Sequence, residues 1–416
     1  MRLALSQAAE VRLGRQRAPQ HEVGDHLLPY LRSANVVDGV LDLNDVKTMN
    51  FTPIEQAIFG LRDGDVLVTE GSGSRDTVGV SAVWHADLPG VVCFQNTLLR
   101  LRPRAGVTDG RYLAWWARHA WASGQIAAVC SGANIQHIGS DGLKRLTIDV
   151  PTVEEQRRIA DFLDDRVARI DQIINARQRQ LTRLEEYRDA IWDRLDAHVC
   201  NSYARVPLKR VLLSIVDGPF GSSLTSGHYS DEGTRVIRLG NLGLANFRDT
   251  DRAYISNEYA SQLTAHVVWP GDLLMAGLGD ERWPLGRSVV APESLGPAIV
   301  KADCYRLRLD DRVRHDFAAA FLSGPRGRSA FRLLSRGSTR ARLNTDLATM
   351  VDVPLAPIHV QLKYASEIQE ARDEAAAHAE WLQQSIEIVS EYKQALITAA
   401  VTGELDVTTA GSGIPG

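Results

Sequence analysis

The sequence lacks what a disulfide scaffold, a metal site or a membrane span would need. Its four cysteines (Cys93, Cys130, Cys200 and Cys304) lie far apart with no C-x-x-C pair among 416 residues. Neither a disulfide framework nor a zinc site is expected, and the four read as buried thiols. No run approaches the roughly 18 uninterrupted apolar residues of a spanning helix, and charge interrupts the N-terminus before a signal-peptide core could form. The composition therefore predicts a cytoplasmic protein with no membrane association. Phosphate-loop, G-x-G-x-x-G, H-E-x-x-H and G-x-S-x-G motifs are absent as well, which removes the commonest signatures of nucleotide-binding and hydrolytic enzymes. The stretch Glu70-Gly-Ser-Gly-Ser-Arg75 has the glycines of a phosphate cradle but not its Lys-Ser/Thr ending, so a DNA-facing or substrate-facing loop is the better reading.

What is present is ordinary in bulk and uneven in detail. Hydrophobic residues at 44% and charged residues at 24% fit a soluble globular chain, and the length calls for two or three domains of roughly 100 to 200 residues each. The net charge of −4 hides a segmental pattern: residues 201–356 carry +4 and residues 357–416 carry −6. A polyanionic partner suits the former and not the latter.

The chain is duplicated at an offset near 206. Tyr30-Leu-Arg-Ser-Ala-Asn35-Val reads like Val236-Ile-Arg-Leu-Gly-Asn241-Leu, and Leu61-Arg-Asp-Gly-Asp65 like Val268-Trp-Pro-Gly-Asp272, a Gly-Asp turn feeding an apolar strand. The stretches Gly90 to Arg102 and Gly296 to Arg308 correspond, as do Ile148-Asp-Val-Pro151 and Val351-Asp-Val-Pro354. Within each copy, short β-rich runs precede a helical stretch, Tyr112 to Val129 and His315 to Leu334, which predicts a mixed α+β domain.

After each copy the chain changes character. Val153 to Val199 contains no Pro or Gly, and Leu163, Val167, Ile170, Ile174, Leu181, Leu184, Ile191 and Leu195 alternate at steps of four and three, with Arg177 and Arg188 at the two missing positions. That is a coiled-coil seam on a helix of roughly 65 to 70 Å. His359 to Val401 repeats it through Ala365, Ile368, Ala375, Ala379, Leu382, Ile386, Val389, Leu396 and Ala400. A solvated hairpin or a dimerisation element would show the same periodicity. The order globular, helix, globular, helix favours two domains held at the ends of an antiparallel pair.

The nucleic-acid signal is local. Between Phe317 and Thr345 lie Arg326, Arg328, Arg332, Arg336, Arg340 and Arg342 with no acid, and arginine suits both phosphate contact and guanine reading. A solvated helix face is the alternative. The repeat counterpart, Ser131-Gly-Ala-Asn134-Ile-Gln136-His137, offers amides of the kind that pair with adenine. Candidate DNA contacts are Arg32, Asn35, Ser72, Ser74, Arg75, Asn134, Gln136 and His137 in the first domain. In the second they are Arg238, Asn241, Arg282, Arg287, Arg336, Ser338, Thr339, Arg340 and Arg342. Each could instead be a residue bonded within its own domain. No catalytic or metal-ligating set stands out.

With those residues assembled, and with Asp149-Val-Pro151-Thr-Val-Glu-Glu155-Gln156-Arg-Arg-Ile159-Ala160 and the ending Leu396-Ile-Thr-Ala-Ala-Val401-Thr-Gly403-Glu404-Leu-Asp406, the chain resembles the specificity subunit of type I restriction-modification enzymes over nearly its whole length. The start of the second helix departs from the pattern, with Val360 before Gln361 where Glu would be expected, which puts a capping or partner contact there in doubt. The resemblance implies two mixed α/β target-recognition domains, at 1–151 and 201–356, and two long antiparallel coiled-coil helices, at 152–200 and 357–402, related by a pseudo-twofold repeat. Residues 403–416 would be a flexible tail. It further implies a non-catalytic subunit that binds double-stranded DNA, two methyltransferase subunits and, in a restriction complex, two motor-nuclease subunits. S-adenosylmethionine, ATP and magnesium would sit on those partners and no cofactor in this chain. A DNA-recognition subunit of another methylation-based defence system, or a coiled-coil adaptor that binds no DNA, would share parts of this pattern.

Overall fold

The computed structural model describes residues 1–72, 77–132, 136–280, 282–335 and 341–408. The chain is mixed α+β and divides into two compact units: Met1–Gln178 with Gln383–Gly416, and Arg179–Leu382. The division falls inside two long helices, Val153–Ser202 and Ile358–Thr402. Each unit thus takes part of both helices, whereas the sequence suggested helices separate from the globular domains.

In unit 1 a four-stranded antiparallel sheet runs in the order Ala9–Leu13, Leu98–Pro103, Val66–Thr69, Ser81–Val83. Unit 2 repeats it as Leu212–Val216, Cys304–Leu309, Leu273–Ala276, Ser288–Val290. Each unit is closed by pairing its first strand with its last: Arg2–Ala4 with Thr147–Asp149, and Arg205–Pro207 with Asp352–Pro354. The Asp-Val-Pro repeat thus marks the end of the closing strand: Pro151 lies just beyond Thr147–Asp149, and Pro354 is the last residue of Asp352–Pro354.

The repeated Gly-Asp turns explain themselves in the same way. Asp65 and Asp272 are buried, and each carboxylate accepts two hydrogen bonds from an arginine on the neighbouring strand, Arg102 at 2.7 and 2.7 Å and Arg308 at 2.7 and 3.0 Å. Each also accepts from a backbone N–H three residues earlier, that of Arg62 or Trp269. A bidentate pair satisfies both charges at once, which a buried charge requires.

The helical stretches differ from expectation. In unit 1 the helix is Gly110–Ala122, followed by a short turn at Ala127–Val129. In unit 2 there are two helices, His315–Ser323 and Pro325–Leu334, because Pro325 has no N–H and disfavours helical geometry at Gly324.

Each long helix is fastened at its start by a fully buried glutamine. Gln156 donates to the carbonyls of Val107 and Pro151 and accepts from the Asp109 N–H. Gln361 donates to those of Arg312 and Ala356 and accepts from the Arg314 N–H. Val360 in place of Glu leaves this tie intact. The seam positions are buried or half-buried along both helices. Beyond the seam, Ile159 and Ala160 join the core of unit 1, and Trp192, Asp196 and Val199 are buried in unit 2.

Two smaller expectations need correction. Cys93 and Cys304 are buried, but Cys130 and Cys200 are partly exposed. The terminal segment does not leave the fold at residue 403: the Leu405 N–H donates to the Ala399 carbonyl and Val407 packs on the core of unit 1. Residues 409–416 lie outside the described residues. Among the described residues, no helix is long and apolar enough to cross a membrane.

Candidate nucleic-acid interface

In unit 1 the two polar segments singled out in the sequence are brought together by the fold, and unit 2 has an equivalent pairing. In unit 1, Gly71–Ser72 pairs antiparallel with Gln136–His137, in register Ser72 to Gln136 and Gly71 to His137. In unit 2, Leu278–Gly279 pairs with Ala341–Arg342, in register Leu278 to Arg342 and Gly279 to Ala341. Each short ribbon joins the chain leaving a central sheet strand to the chain entering the last short helix of the unit, Ser140–Arg145 or Thr345–Ala348. Segments more than 60 residues apart in sequence thus form equivalent structures in both copies.

The side chains on the ribbons differ. His137 is exposed, and its Nδ1 lies 3.0 Å from Glu70. Arg342 is exposed, makes a 2.8 Å ion pair with Asp303, and lies over the Phe220 ring. Next to Asp303, burial pushes the Asp217 carboxyl up to about 6, although it accepts from the Gly218 and Asp303 N–H groups. Ser72 and Gln136 are placed by their backbone pairing. Ser74, Arg75, Asn134, Arg336, Ser338, Thr339 and Arg340 lie outside the described residues.

Three candidates are committed to the interior. Asn35 is buried, accepts from the Arg32 N–H and donates to the carbonyls of Asp42 and Asp45. Asn241 does the same with Arg238, Arg248 and Asp251. Arg287, 3% exposed, donates to the carbonyls of Leu239, Leu242, Leu278, Trp283 and Pro284. These side chains hold loops in place, and as they stand they offer no group to a duplex. Burial also pulls the Arg287 guanidinium below its ordinary value. Arg32 and Arg238 each pair with an aspartate at the end of the same loop, Asp45 or Asp251, so their charge is already partnered.

The arginine-rich stretch likewise divides. Arg326 and Arg328 make ion pairs with Asp193 and Asp189 of the first long helix, so they serve packing within unit 2. Arg282 is exposed and lies over the Trp283 ring. Sequence reasoning missed Trp283, which also has Arg248 above it, at 4.5 Å from ring centroid to guanidinium carbon. No spacing signal could have found that pair, since the two residues come from separate loops. Among the described residues, no cluster of His, Cys, Asp or Glu could hold a metal ion.

Residues 61–183 match the family described as Type I restriction modification DNA specificity domain. Over 402 residues the chain is 26% identical to the type I restriction enzyme StySPI specificity subunit of Salmonella potsdam, the alignment covering 92% of this chain and 83% of that protein. Over nearly its whole length the chain is thus similar to a type I specificity subunit. A second relative, the type I restriction enzyme EcoKI specificity subunit of Escherichia coli strain K12, is 21% identical over 397 residues, with the same shares covered. A chain solved in a study of complex assembly and conformational transition of the type I R-M system shares the fold, with a TM-score of 0.72 at 16% identity, covering 97% of this chain and 98% of that chain.

Proposed function

We propose that the chain is the sequence-specific DNA-reading subunit of a type I restriction-modification system, with each unit reading one half of an interrupted target. The observation that carries this reading is the equivalence of the two ribbons in place and their difference in chemistry. One frame used twice, with Gln136 and His137 on one ribbon and Arg342 on the other, suits two modules that read two different half-sites.

In this reading the long helices set the spacer between the half-sites. Lys393, late in the second helix, makes a 2.9 Å ion pair with Asp171, early in the first, within unit 1. Within unit 2, Tyr364, early in the second, bonds to Trp192 and Asp196, late in the first. Both contacts support an antiparallel pair. In this role the chain itself carries no catalytic group and no cofactor. Two methyltransferase subunits supply S-adenosylmethionine chemistry, and two motor-nuclease subunits, where present, bring ATP and magnesium.

Gel-shift competition with the subunit assembled on its methyltransferase tests the reading. A preferred duplex that survives competition by random DNA is expected; binding without sequence preference contradicts it and favours an adaptor. Deleting seven residues from each long helix preserves the seam and should change the spacer between half-sites. An unchanged spacer would remove the helices as the measuring element.

A further inference from the structure

Unit 2 carries a second constellation beside its ribbon, and its key groups, Arg248, Asp280 and Trp283, are not among the expected contacts. Trp283 lies in a tight turn in which the Asp280 N–H donates to the Trp283 carbonyl and the Trp283 N–H donates to one Asp280 carboxylate oxygen at 2.8 Å. The turn is pinned from beneath. Arg287 donates to the carbonyls of Leu278, Trp283 and Pro284, and Gly279 packs so closely that a Cβ there would sit 2.3 Å from the Leu285 nitrogen. Arg248 arrives from the loop held by Asn241, its own carbonyl accepting from the Asn241 amide. Its guanidinium carbon lies over the Trp283 ring, 4.5 Å from the centroid, and among the described residues the group makes no hydrogen bond or ion pair. Together with Leu239, Gly240 and Leu278, these residues line a cavity of about 230 Å³.

We infer that Arg248 and Asp280 are a base-pair reader of unit 2, which selects a G·C pair through the major groove. Arg248 donates its fork to guanine O6 and N7, and the free oxygen of Asp280 accepts from the cytosine N4 amine. This rests on the DNA-reading function proposed above. Contact with the Trp283 ring holds the guanidinium without using the N–H groups that a bidentate contact needs. The neighbouring Asp280 carboxylate, exposed and without an ion pair among the described residues, repels a phosphate but suits an amine. The hydrogen bonds from Arg287 to the Trp283 and Pro284 carbonyls hold the ring that carries Arg248, as discrimination demands. Unit 1 cannot make the same contact: Asp42 holds there the place of Arg248, since its carbonyl accepts from Asn35 as that of Arg248 accepts from Asn241. The preference must therefore belong to one half-site alone.

The test uses the full chain assembled with its methyltransferase and a library of duplexes with both half-sites randomised. The wild-type chain is expected to select a bipartite sequence with a G·C pair in one half. Arg248→Ala should reduce discrimination at that single pair by about 10- to 100-fold, with the other half-site unchanged. Arg248→Lys, which keeps the charge but not the fork, should fail to restore it, and Asp280→Asn should weaken preference at the same pair. An unchanged melting temperature for each variant shows that the fold is retained. A wild-type bipartite preference that Arg248→Ala leaves intact overturns the reader and spares the DNA-reading function. A uniform loss of affinity with a shallower salt dependence makes Arg248 a phosphate contact and also overturns it. Absence of any wild-type preference removes the function itself.

Discussion

Where the globular part of unit 1 meets its long helices, Ile159, Ile397 and Val401 are buried together; the same three repeat positions in unit 2 hold Tyr364, Trp192 and Asp196, equally buried. The polar set is satisfied internally. The Trp192 indole N–H donates to the Tyr364 hydroxyl, which donates to Asp196, and the Arg326 N–H at the start of the helix Pro325–Leu334 donates to the other Asp196 oxygen. Room for it comes from Gly324, where a Cβ would lie 2.6 Å from the Trp192 indole nitrogen. In unit 1 the corresponding position is His119, whose Nδ1 lies 3.1 Å from the Thr398 hydroxyl. Two copies of one frame thus solve the same docking problem with apolar contacts in one case and a hydrogen-bonded cluster in the other. Ties that recur in both units mark the frame, and positions that diverge mark what each unit adds to it.

The buried Asp-Arg pairs are the strongest test of the shared frame. Removing one partner of a buried pair costs about 3 to 5 kcal/mol. Asp65→Ala should fall at the upper end, because it strands Arg102 with 15% side-chain exposure, and Asp272→Ala lower, because Arg308 is 35% exposed. Urea unfolding of each variant checks the order. The reverse order would mean that the two turns are not equivalent.

The docking clusters sharpen the contrast through pH. Burial pushes the Asp196 carboxyl up to about 7, against the hydrogen bonds from Tyr364 and the Arg326 N–H that hold it down, while Asp193 nearby adds to the rise. A folded-state value raised above the unfolded one gives stability that is whole below about pH 4 and is lost as pH rises towards 7, by at most about 1.4 kcal/mol per pH unit. Unit 2 should therefore lose stability over that window, and Asp196→Asn should flatten the loss. Urea midpoints at pH 5 and pH 8 measure it. An identical pH slope in the variant would remove Asp196 as its source.

The duplication, the Gly-Asp turns and the two helices were legible because they depend on local pattern: a 3.5-residue period, a glycine before an acid, a repeated order. The interface was legible only in part. Spacing brought out Arg32 with Asn35 and Arg238 with Asn241, yet a repeated polar residue is as readily a loop clasp as a DNA contact, and both asparagines are buried in such clasps. The pairing of residues 71–72 with 136–137 and of 278–279 with 341–342, and the contact of Arg248 with the Trp283 ring, arise from chain crossings that no local period encodes.

The most direct measurement is the methylation motif of a host carrying this gene with its methyltransferase, read for wild type, His137→Ala and Arg342→Ala. Two separated half-sites are expected, with the first variant relaxing bases in one half only and the second in the other half only. An uninterrupted motif, or either variant altering both halves, would contradict the assignment of one reader to each unit.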